Sequence, residues 1–294
     1  AGISTVAQML NINAGDNVIV GGTDHQANIM PWLPMIDGGV ELRIAEGQEH
    51  RVPLEAYANL VDSNTAVINL CHVSPWTGFR CDVPAIAEIA HSVGALTVVD
   101  AAQSVRALNI NVNTDGIDVL SSSAFKWLLG PAGAGFLYMK DELVADLESP
   151  TAGWFATREP WDRDSLHPQF EDSAQKFQTG SPSLISFIGA RAGLEILLDV
   201  GMDRVEHHIL SLSKQLINGL ENQGIDVWTP IQESERAGVV VFRIPNAKRT
   251  CTLLKERRID LGYLPGLDVV RVDPGIFSSE DDIQRLLDEL KNLR

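Results

Sequence analysis

Short apolar runs alternate with segments of helical period through the first half of the chain. The apolar runs are rich in valine, isoleucine and leucine, and they are predicted as strands at 17–20, 40–44, 66–70, 96–99, 119–121 and 135–139. The amphipathic segments between them are predicted as helices, among them 26–36, 53–60 and 83–92. This alternation predicts an α/β fold with a mainly parallel sheet covered by helices.

The pattern changes at about residue 184. A long helical stretch runs to residue 220 and is broken near Gly201. Shorter segments follow, predicted as strands at 226–228, 239–244 and 269–272 and as helices at 248–258 and 280–293. We therefore predict a large α/β domain over 1–195 and a small C-terminal α+β domain over 196–294.

Composition narrows the class of protein. The 294 residues include 23 Lys and Arg against 39 Asp and Glu, a net charge of −16, which argues against a nucleic-acid partner. No apolar run approaches the ~20 residues of a membrane span, and the first residues lack the pattern of a signal peptide. Three widely spaced cysteines without a CxxC pair predict a cytoplasmic protein with no zinc site.

Polar residues follow several predicted strands, and in parallel sheets ligands bind at the carboxyl ends of the strands. His25 follows the first strand, and Asp100 follows the fourth. A carboxylate buried at that position would need a cationic or donating partner, or Asp100 could cap a helix over 101–105. His25 could likewise be a solvated capping residue of the next helix.

Lys126 gives a sharper signal because apolar residues flank it on both sides, in the sequence AFKWLL. A lysine desolvated in this way has a lowered pKa and serves as a nucleophilic amine in Schiff-base chemistry. The alternative is a lysine whose charged end reaches solvent. A Cys71–His72 dyad is rejected because adjacent strand residues point to opposite faces of the sheet.

A Schiff-base lysine, an acid for a pyridine nitrogen and a flat side chain for stacking together describe a pyridoxal phosphate site. The segments DHQANIMPW at 24–32, VVDAAQS at 98–104, SAFKWLLGP at 123–131 and VRVDP at 270–274 resemble class V aminotransferases, a branch of fold-type I pyridoxal phosphate enzymes. That branch includes cysteine desulfurases, selenocysteine lyases, kynureninase and isopenicillin N epimerase.

The resemblance implies a fold-type I architecture, pyridoxal 5'-phosphate as cofactor and a homodimer with shared active sites. It assigns catalytic roles to Lys126, His25 and Asp100. Lys126 would carry the cofactor, His25 would stack on its ring and Asp100 would hold the ring nitrogen. Gln103 and Ser123 would fix the ring hydroxyl and the phosphate. Ser181, in FQTGSP, would reach the phosphate of the neighbouring subunit, and it could also cap the helix that follows Pro182.

The chain departs from the family pattern at several positions. The loop 259–266 lacks the nucleophilic cysteine of desulfurases, and Cys251 lies too early to replace it. The usual carboxylate-binding arginine is missing near this loop, which leaves Arg80 and Arg158 as substitutes. Phe125 stands where relatives carry a phosphate-contacting histidine or tyrosine. The family's phosphate-binding turn would precede residue 1, so the large domain is expected to be N-terminally incomplete.

These departures predict a C–S or C–Se lyase that acts on an amino acid through Lys126 without a loop cysteine. A class V aminotransferase or an epimerase is the enzymatic alternative, because both would use the same lysine. The non-enzymatic alternative is a truncated or degenerate homologue that folds and dimerises without holding cofactor.

Overall fold

The structure is a computed structural model that describes residues 1–151, 153–163 and 166–293. Its larger sheet has six strands in the order β2-β1-β3-β4-β5-β6. The first five are parallel, and β6 pairs with β5 in the antiparallel direction. The strands are β1 Asn17–Gly21, β2 Glu41–Ala45, β3 Thr65–Cys71, β4 Leu96–Asp100, β5 Val119–Ser123 and β6 Gly135–Met139. The predicted mainly parallel α/β sheet is therefore confirmed.

Helices cover both faces of this sheet. They are α1 Gly2–Met9, α2 Gln26–Ile29, α3 Leu54–Ala58, α4 Val83–Ser92 and α5 Asp141–Asp146. The prediction of one helix over 26–36 was wrong, because α2 is a single turn and continues as a 3-10 helix over Met30–Gly38. Pro31 and Pro34 explain the change, since proline lacks the backbone N–H that an α-helical interior requires.

The second half begins with two long helices, α6 Leu184–Val200 and α7 Met202–Asn222. Gly201 separates them with a backbone φ of 89°, which glycine adopts without strain. The predicted boundary at residue 195 falls inside α6, and the division into two domains stays a prediction.

An antiparallel sheet of four strands follows, in the order β7-β8-β10-β9. Its strands are β7 Asp226–Val227, β8 Val240–Arg243, β9 Gly262–Leu264 and β10 Val269–Val272. Helix α8 Ala247–Glu256 and helix α9 Glu280–Asn292 pack with α7 around it. The sequence analysis did not predict β9, whose three residues pair with β10 and form an ordered hairpin within the segment 259–266.

Separate apolar clusters fill the two faces of the large sheet and the layer between the small sheet and its helices. A further cluster joins the two halves of the chain: Val73 and Leu108 pack with Leu210, Trp228 and Val241. This contact brings the small sheet against the carboxyl ends of the large-sheet strands. No helix among the described residues is long and apolar enough to cross a bilayer.

Candidate active site

A cavity of about 940 Å³ lies at the carboxyl ends of β3, β4 and β5, and we call it the sheet-edge cavity. Most of the residues predicted to form the site line it, together with one cysteine. These residues are His25, Cys71, Asp100, Gln103, Ser123 and Lys126. The fold therefore brings together strand-end side chains that are up to 101 positions apart in the chain.

Lys126 lies in the turn that follows β5. The Gly130 N–H closes this turn on the Ala124 carbonyl at 2.8 Å. Glycine is required at position 130, because a Cβ there would lie 2.9 Å from the Ala124 Cβ and 3.0 Å from the Ala190 backbone. Burial lowers the pKa of Lys126, while the nearby Asp100 carboxylate raises it. The burial effect is the larger, so more of this amine is neutral and nucleophilic than at an exposed lysine.

Asp100 ends β4, where Cys71 and Ser121 are its partners on the neighbouring strands. One carboxylate oxygen accepts a hydrogen bond from the Ala102 N–H at 2.9 Å, and the other lies 3.9 Å from the Cys71 Sγ. Residues 101–105 form turns rather than a helix, so Asp100 does not cap a helix there. Its carboxylate accepts only the Ala102 N–H of that turn. Burial raises the pKa of Asp100.

The raised pKa of Asp100 means that its charged form lacks solvation in the free protein. The oxygen beside Cys71 has only a weak thiol contact, so it can accept a stronger hydrogen bond or a cationic N–H.

Ser123 and Gln103 supply polar atoms to the same cavity. The Ser123 Oγ is buried and has no hydrogen-bond partner among the described residues, a condition that costs free energy unless a ligand or water meets it. The Gln103 Oε1 already accepts two hydrogen bonds, from the Trp127 Nε1 at 3.2 Å and the Arg271 Nη2 at 3.1 Å. The Gln103 amide nitrogen is therefore the group left to donate to a ligand.

His25 combines the two roles considered for it. Its Nδ1 accepts the Ala27 N–H at 3.1 Å and caps α2, which places the ring proton on Nε2. Its ring also stacks on Trp76, with centroids 5.5 Å apart and planes within 9°. A planar ligand can therefore stack only on the opposite face of the imidazole.

Cys71 and His72 face different cavities, which confirms the rejection of a Cys–His dyad. Cys71 lines the sheet-edge cavity, whereas His72 lines a separate one together with Arg80. Burial raises the pKa of the Cys71, Cys81 and Cys251 thiols above the ordinary value. Each cysteine is therefore a protonated thiol near neutral pH, unsuited to act as a nucleophile.

Comparison with known proteins decides the family. The aminotransferase class-V family matches residues 1–266. The chain belongs to that family.

Its curated relatives include an uncharacterized aminotransferase of Bacillus subtilis (strain 168), which is 29% identical over 266 residues, covering 90% of this chain and 66% of that protein. A probable cysteine desulfurase of Methanothermobacter thermautotrophicus is 31% identical over 229 residues, covering 76% of this chain and 56% of that protein. The chain thus spans about 56–66% of the length of these relatives.

Solved structures show the same fold. An apo cysteine desulfurase from Thermococcus onnurineus NA1 superimposes with a TM-score of 0.91 at 24% identity, covering 99% of this chain and 76% of that one. A cystine C-S lyase in complex with cysteine persulfide has a TM-score of 0.88 at 21% identity, covering 98% and 78%. These superpositions confirm the predicted fold-type I architecture. Pyridoxal phosphate is the cofactor that the sequence analysis expects for this family.

The residues of this class V chain fit that cofactor. Lys126 supplies a desolvated amine, Asp100 an acceptor oxygen without a strong partner, and Ser123 a buried hydroxyl without one. His25 offers one free ring face. Phe125 is exposed and adds no donor, as its side-chain chemistry predicts. The role of each residue toward the cofactor stays a prediction.

A second cavity of about 790 Å³ adjoins the first on the side of the small sheet, and we call it the cleft cavity. His25, Gln103 and Lys126 line both cavities. Arg271, on β10, also lines the cleft cavity, and its side chain is largely buried. The sequence analysis missed Arg271, although a single arginine within the apolar run VVRV is a signal for it.

The two substitutes considered for carboxylate binding lie elsewhere. Arg80 lines the separate cavity with His72, and Arg158 pairs with Asp172 at the surface. The sequence analysis expected the usual carboxylate-binding arginine to be missing near the segment 259–266. The structure places an arginine beside that segment, because β9 pairs with β10 and the register sets Gly262 opposite Arg271.

Ser181 is exposed and does not line the sheet-edge cavity. The alternative that Ser181 caps the next helix was wrong, because α6 begins at Leu184 with Ser183 as its N-cap. A role for Ser181 at the partner's phosphate stays a prediction.

Proposed function

We propose that this class V chain is a pyridoxal phosphate-dependent lyase that eliminates a sulfur or selenium leaving group from the β-carbon of an amino acid. The observation that carries the proposal is the pairing of a desolvated Lys126 with three cysteines that are all buried, protonated thiols. The lysine supports chemistry at Cα, whereas the thiols do not support sulfur transfer to the enzyme.

Lys126 would hold the cofactor and move the Cα proton of the substrate. When bound, pyridoxal phosphate withdraws electrons from the substrate Cα. Asp100 would keep a proton on the ring nitrogen, because a nearby carboxylate favours the cationic form of a base. Ser123 would donate its hydroxyl to the phosphate, and His25 would hold the plane of the ring.

Arg271 is the group best placed to bind the substrate carboxylate. Its guanidinium spans Gln103, at 3.1 Å, and the Pro75 carbonyl, at 3.2 Å, beside Lys126 in the cleft cavity. Asp273 holds it through two hydrogen bonds of 2.8 Å, which fix its orientation and partly neutralise it. These four contacts with described residues leave one of the five guanidinium N–H groups, on Nη1, to donate a charge-assisted hydrogen bond to the substrate carboxylate.

The segment that carries the nucleophile in desulfurases supplies no thiol to this site. Asp260, Leu261 and Gly262 line the cleft cavity, and Gly262–Leu264 is held as a strand against β10. Among the described residues, Cys71 is the cysteine that lines the sheet-edge cavity, and its protonated thiol lies 3.5 Å from the His25 backbone nitrogen and 3.9 Å from an Asp100 oxygen. Sulfur would therefore leave directly with the departing group.

Product analysis of the cofactor-loaded protein with cystine tests this function. Elimination from cystine predicts pyruvate, ammonia and cysteine persulfide, whereas desulfuration of cysteine, assayed in parallel, predicts alanine and a persulfide on the enzyme. Transamination would give a 2-oxo acid that retains sulfur, and epimerisation would give only the other stereoisomer. We expect pyruvate both from the natural sequence and from a variant with all three cysteines replaced by serine. Alanine, or a persulfide trapped on Cys71, would contradict the proposal.

We further propose a cytoplasmic homodimer in which Ser181 of one subunit reaches the phosphate of the other. The support is an exposed apolar surface on α6, where Leu184, Ile185, Ile188 and Leu198 are each more than half exposed. An apolar face of this kind on a helix adjoining Ser181 favours burial against another chain.

A further inference from the structure

Arg106 is a cation of the cleft cavity to which the proposed function gives no role. It follows β4 three positions after Gln103, and both residues line this cavity together with Lys126 and Arg271. The Gln103–Arg271 hydrogen bond at 3.1 Å fixes the wall of the cavity at that point. Arg106 therefore lines the same cleft cavity as Arg271, the proposed carboxylate-binding arginine. It lies three residues after Gln103 in the loop that follows β4.

The other charged groups of the cleft cavity have counter-charges. Arg271 pairs with Asp273, with two contacts of 2.8 Å, and Asp260 pairs with Lys255 at 3.2 Å. Lys126 is attracted by Asp100. Arg106 has neither an ion pair nor a side-chain hydrogen bond within residues 1–151, 153–163 and 166–293. In a chain of net charge −16, a half-buried arginine without an acidic partner is unusual.

The backbone at Arg106 is also held in an unfavourable conformation. Its φ is 70°, in the left-handed region that side chains larger than glycine, asparagine or aspartate rarely adopt. Burial lowers the pKa of its guanidinium, so the free protein also holds this charge with incomplete solvation. Strain and desolvation at one cavity residue are features that cluster at ligand sites.

We propose that Arg106 binds a second anionic group of the substrate, at the end opposite the α-carboxylate held by Arg271. This inference rests on the proposed function, and it names the substrate class as amino acids whose sulfur- or selenium-linked side chain ends in a carboxylate or another anion. A cavity of about 790 Å³ is within the usual range for small-molecule sites.

The corresponding elimination is balanced. For a substrate R–S–CH2–CH(NH3+)–COO−, the Cα–H and Cβ–S bonds break, and the Cβ–S electron pair leaves on sulfur. With one water, the products are RSH, pyruvate and NH4+. The anionic group resides in R, so Arg106 would hold the leaving group without taking part in bond breaking.

Two isosteric amino acids separate this binding role from catalysis. S-carboxymethyl-L-cysteine carries the distal anion, and S-carbamoylmethyl-L-cysteine replaces it with a neutral amide of nearly the same shape. Calorimetric titration of the cofactor-loaded protein should give at least ~10-fold tighter binding of the carboxymethyl compound, as one charge-assisted pair provides. Measuring pyruvate release from the same two compounds tests the proposed lyase activity independently of the binding measurement.

Substitutions at Arg106 complete the test. Arg106→Gln should bind both compounds with the affinity of the neutral one, and Arg106→Lys should restore part of the preference. Arg80→Gln is the matched control, because Arg80 is also half-buried and lines a different cavity, so it should leave the preference unchanged.

Equal affinity for the two compounds in the natural sequence, or no measurable binding of either, would overturn the inference. An Arg106→Gln variant that keeps the preference would overturn it as well. Preferential binding without pyruvate release would contradict only the lyase proposal, because it would leave the anion-binding role of Arg106 intact.

Discussion

Asp24 is a buried carboxyl group that holds the start of the cofactor-stacking segment against β3, and its ionisation should limit the stability of the site. It accepts hydrogen bonds from the Cys71 N–H at 3.0 Å, the Asn28 side chain at 2.6 Å and the Gly21 N–H at 3.2 Å. Burial nevertheless raises its pKa from 3.8 to about 7. The folded protein therefore binds this proton more tightly than the unfolded chain does.

The sign of the effect follows from linkage. The contribution of protonated Asp24 to stability is complete below pH 3.8 and is lost as the pH rises through about 7. At about 1.36 kcal/mol per pKa unit, the whole loss is about 4 kcal/mol. Between about pH 5 and about pH 8, the same two pKa values give a loss of about 2.5 kcal/mol.

Asp24→Asn removes the titration and provides the comparison. We would measure urea unfolding of both proteins at the two pH values and take the difference in unfolding free energy at each. The amide side chain of the variant loses acceptor capacity at every pH, so that cost cancels in the comparison. The variant should gain about 2.5 kcal/mol relative to the natural sequence on going to the higher pH. Asp146→Asn, at an exposed position on α5, is the control and should show no such gain.

A stability difference that is the same at both pH values would refute the reasoning. It would mean that Asp24 stays ionised throughout and that its three N–H donors outweigh burial.

Three further predictions concern the site itself. Asp100→Asn should retain pyridoxal phosphate, seen by its absorption spectrum, but lose ~100-fold or more of pyruvate release; near-normal turnover would remove Asp100 from the mechanism. Arg271→Lys should weaken kcat/KM by ~10–150-fold, as loss of one charge-assisted hydrogen bond implies, and an unchanged value would exclude it as the carboxylate group. Mixing inactive Lys126→Ala and Ser181→Ala subunits should restore activity in hybrid dimers, whereas an active monomer would contradict the shared site.

Much of the site could be predicted from local sequence. Asp100 and Ser123 are predictable because each stands at the end of an apolar strand, and a parallel sheet gathers such ends at one edge. Lys126 is predictable because its apolar neighbours make a charged residue costly there. These signals need only one segment of sequence and the direction of its strand.

Features that depend on distant segments escaped prediction. Arg271 reaches Gln103 across 168 positions, and its place in the site follows from the docking of the small sheet on the large one. The stacking of Trp76 on His25 is likewise set by the hydrogen bonds from Ser74 and Trp76 to the backbone of residues 23 and 24. The segment 26–36 is helical, as its pattern of apolar residues predicted, but two prolines make most of it a 3-10 helix.

The central claim is that Lys126 is the residue that carries the cofactor, and chemical labelling tests it most directly. The protein would be incubated with pyridoxal phosphate, reduced with borohydride, digested and mapped by mass spectrometry. Our account predicts a single pyridoxyl label on Lys126 and none at that peptide in Lys126→Ala, which should still fold as judged by circular dichroism. A label on another lysine, or no label on a folded protein saturated with cofactor, would contradict the account.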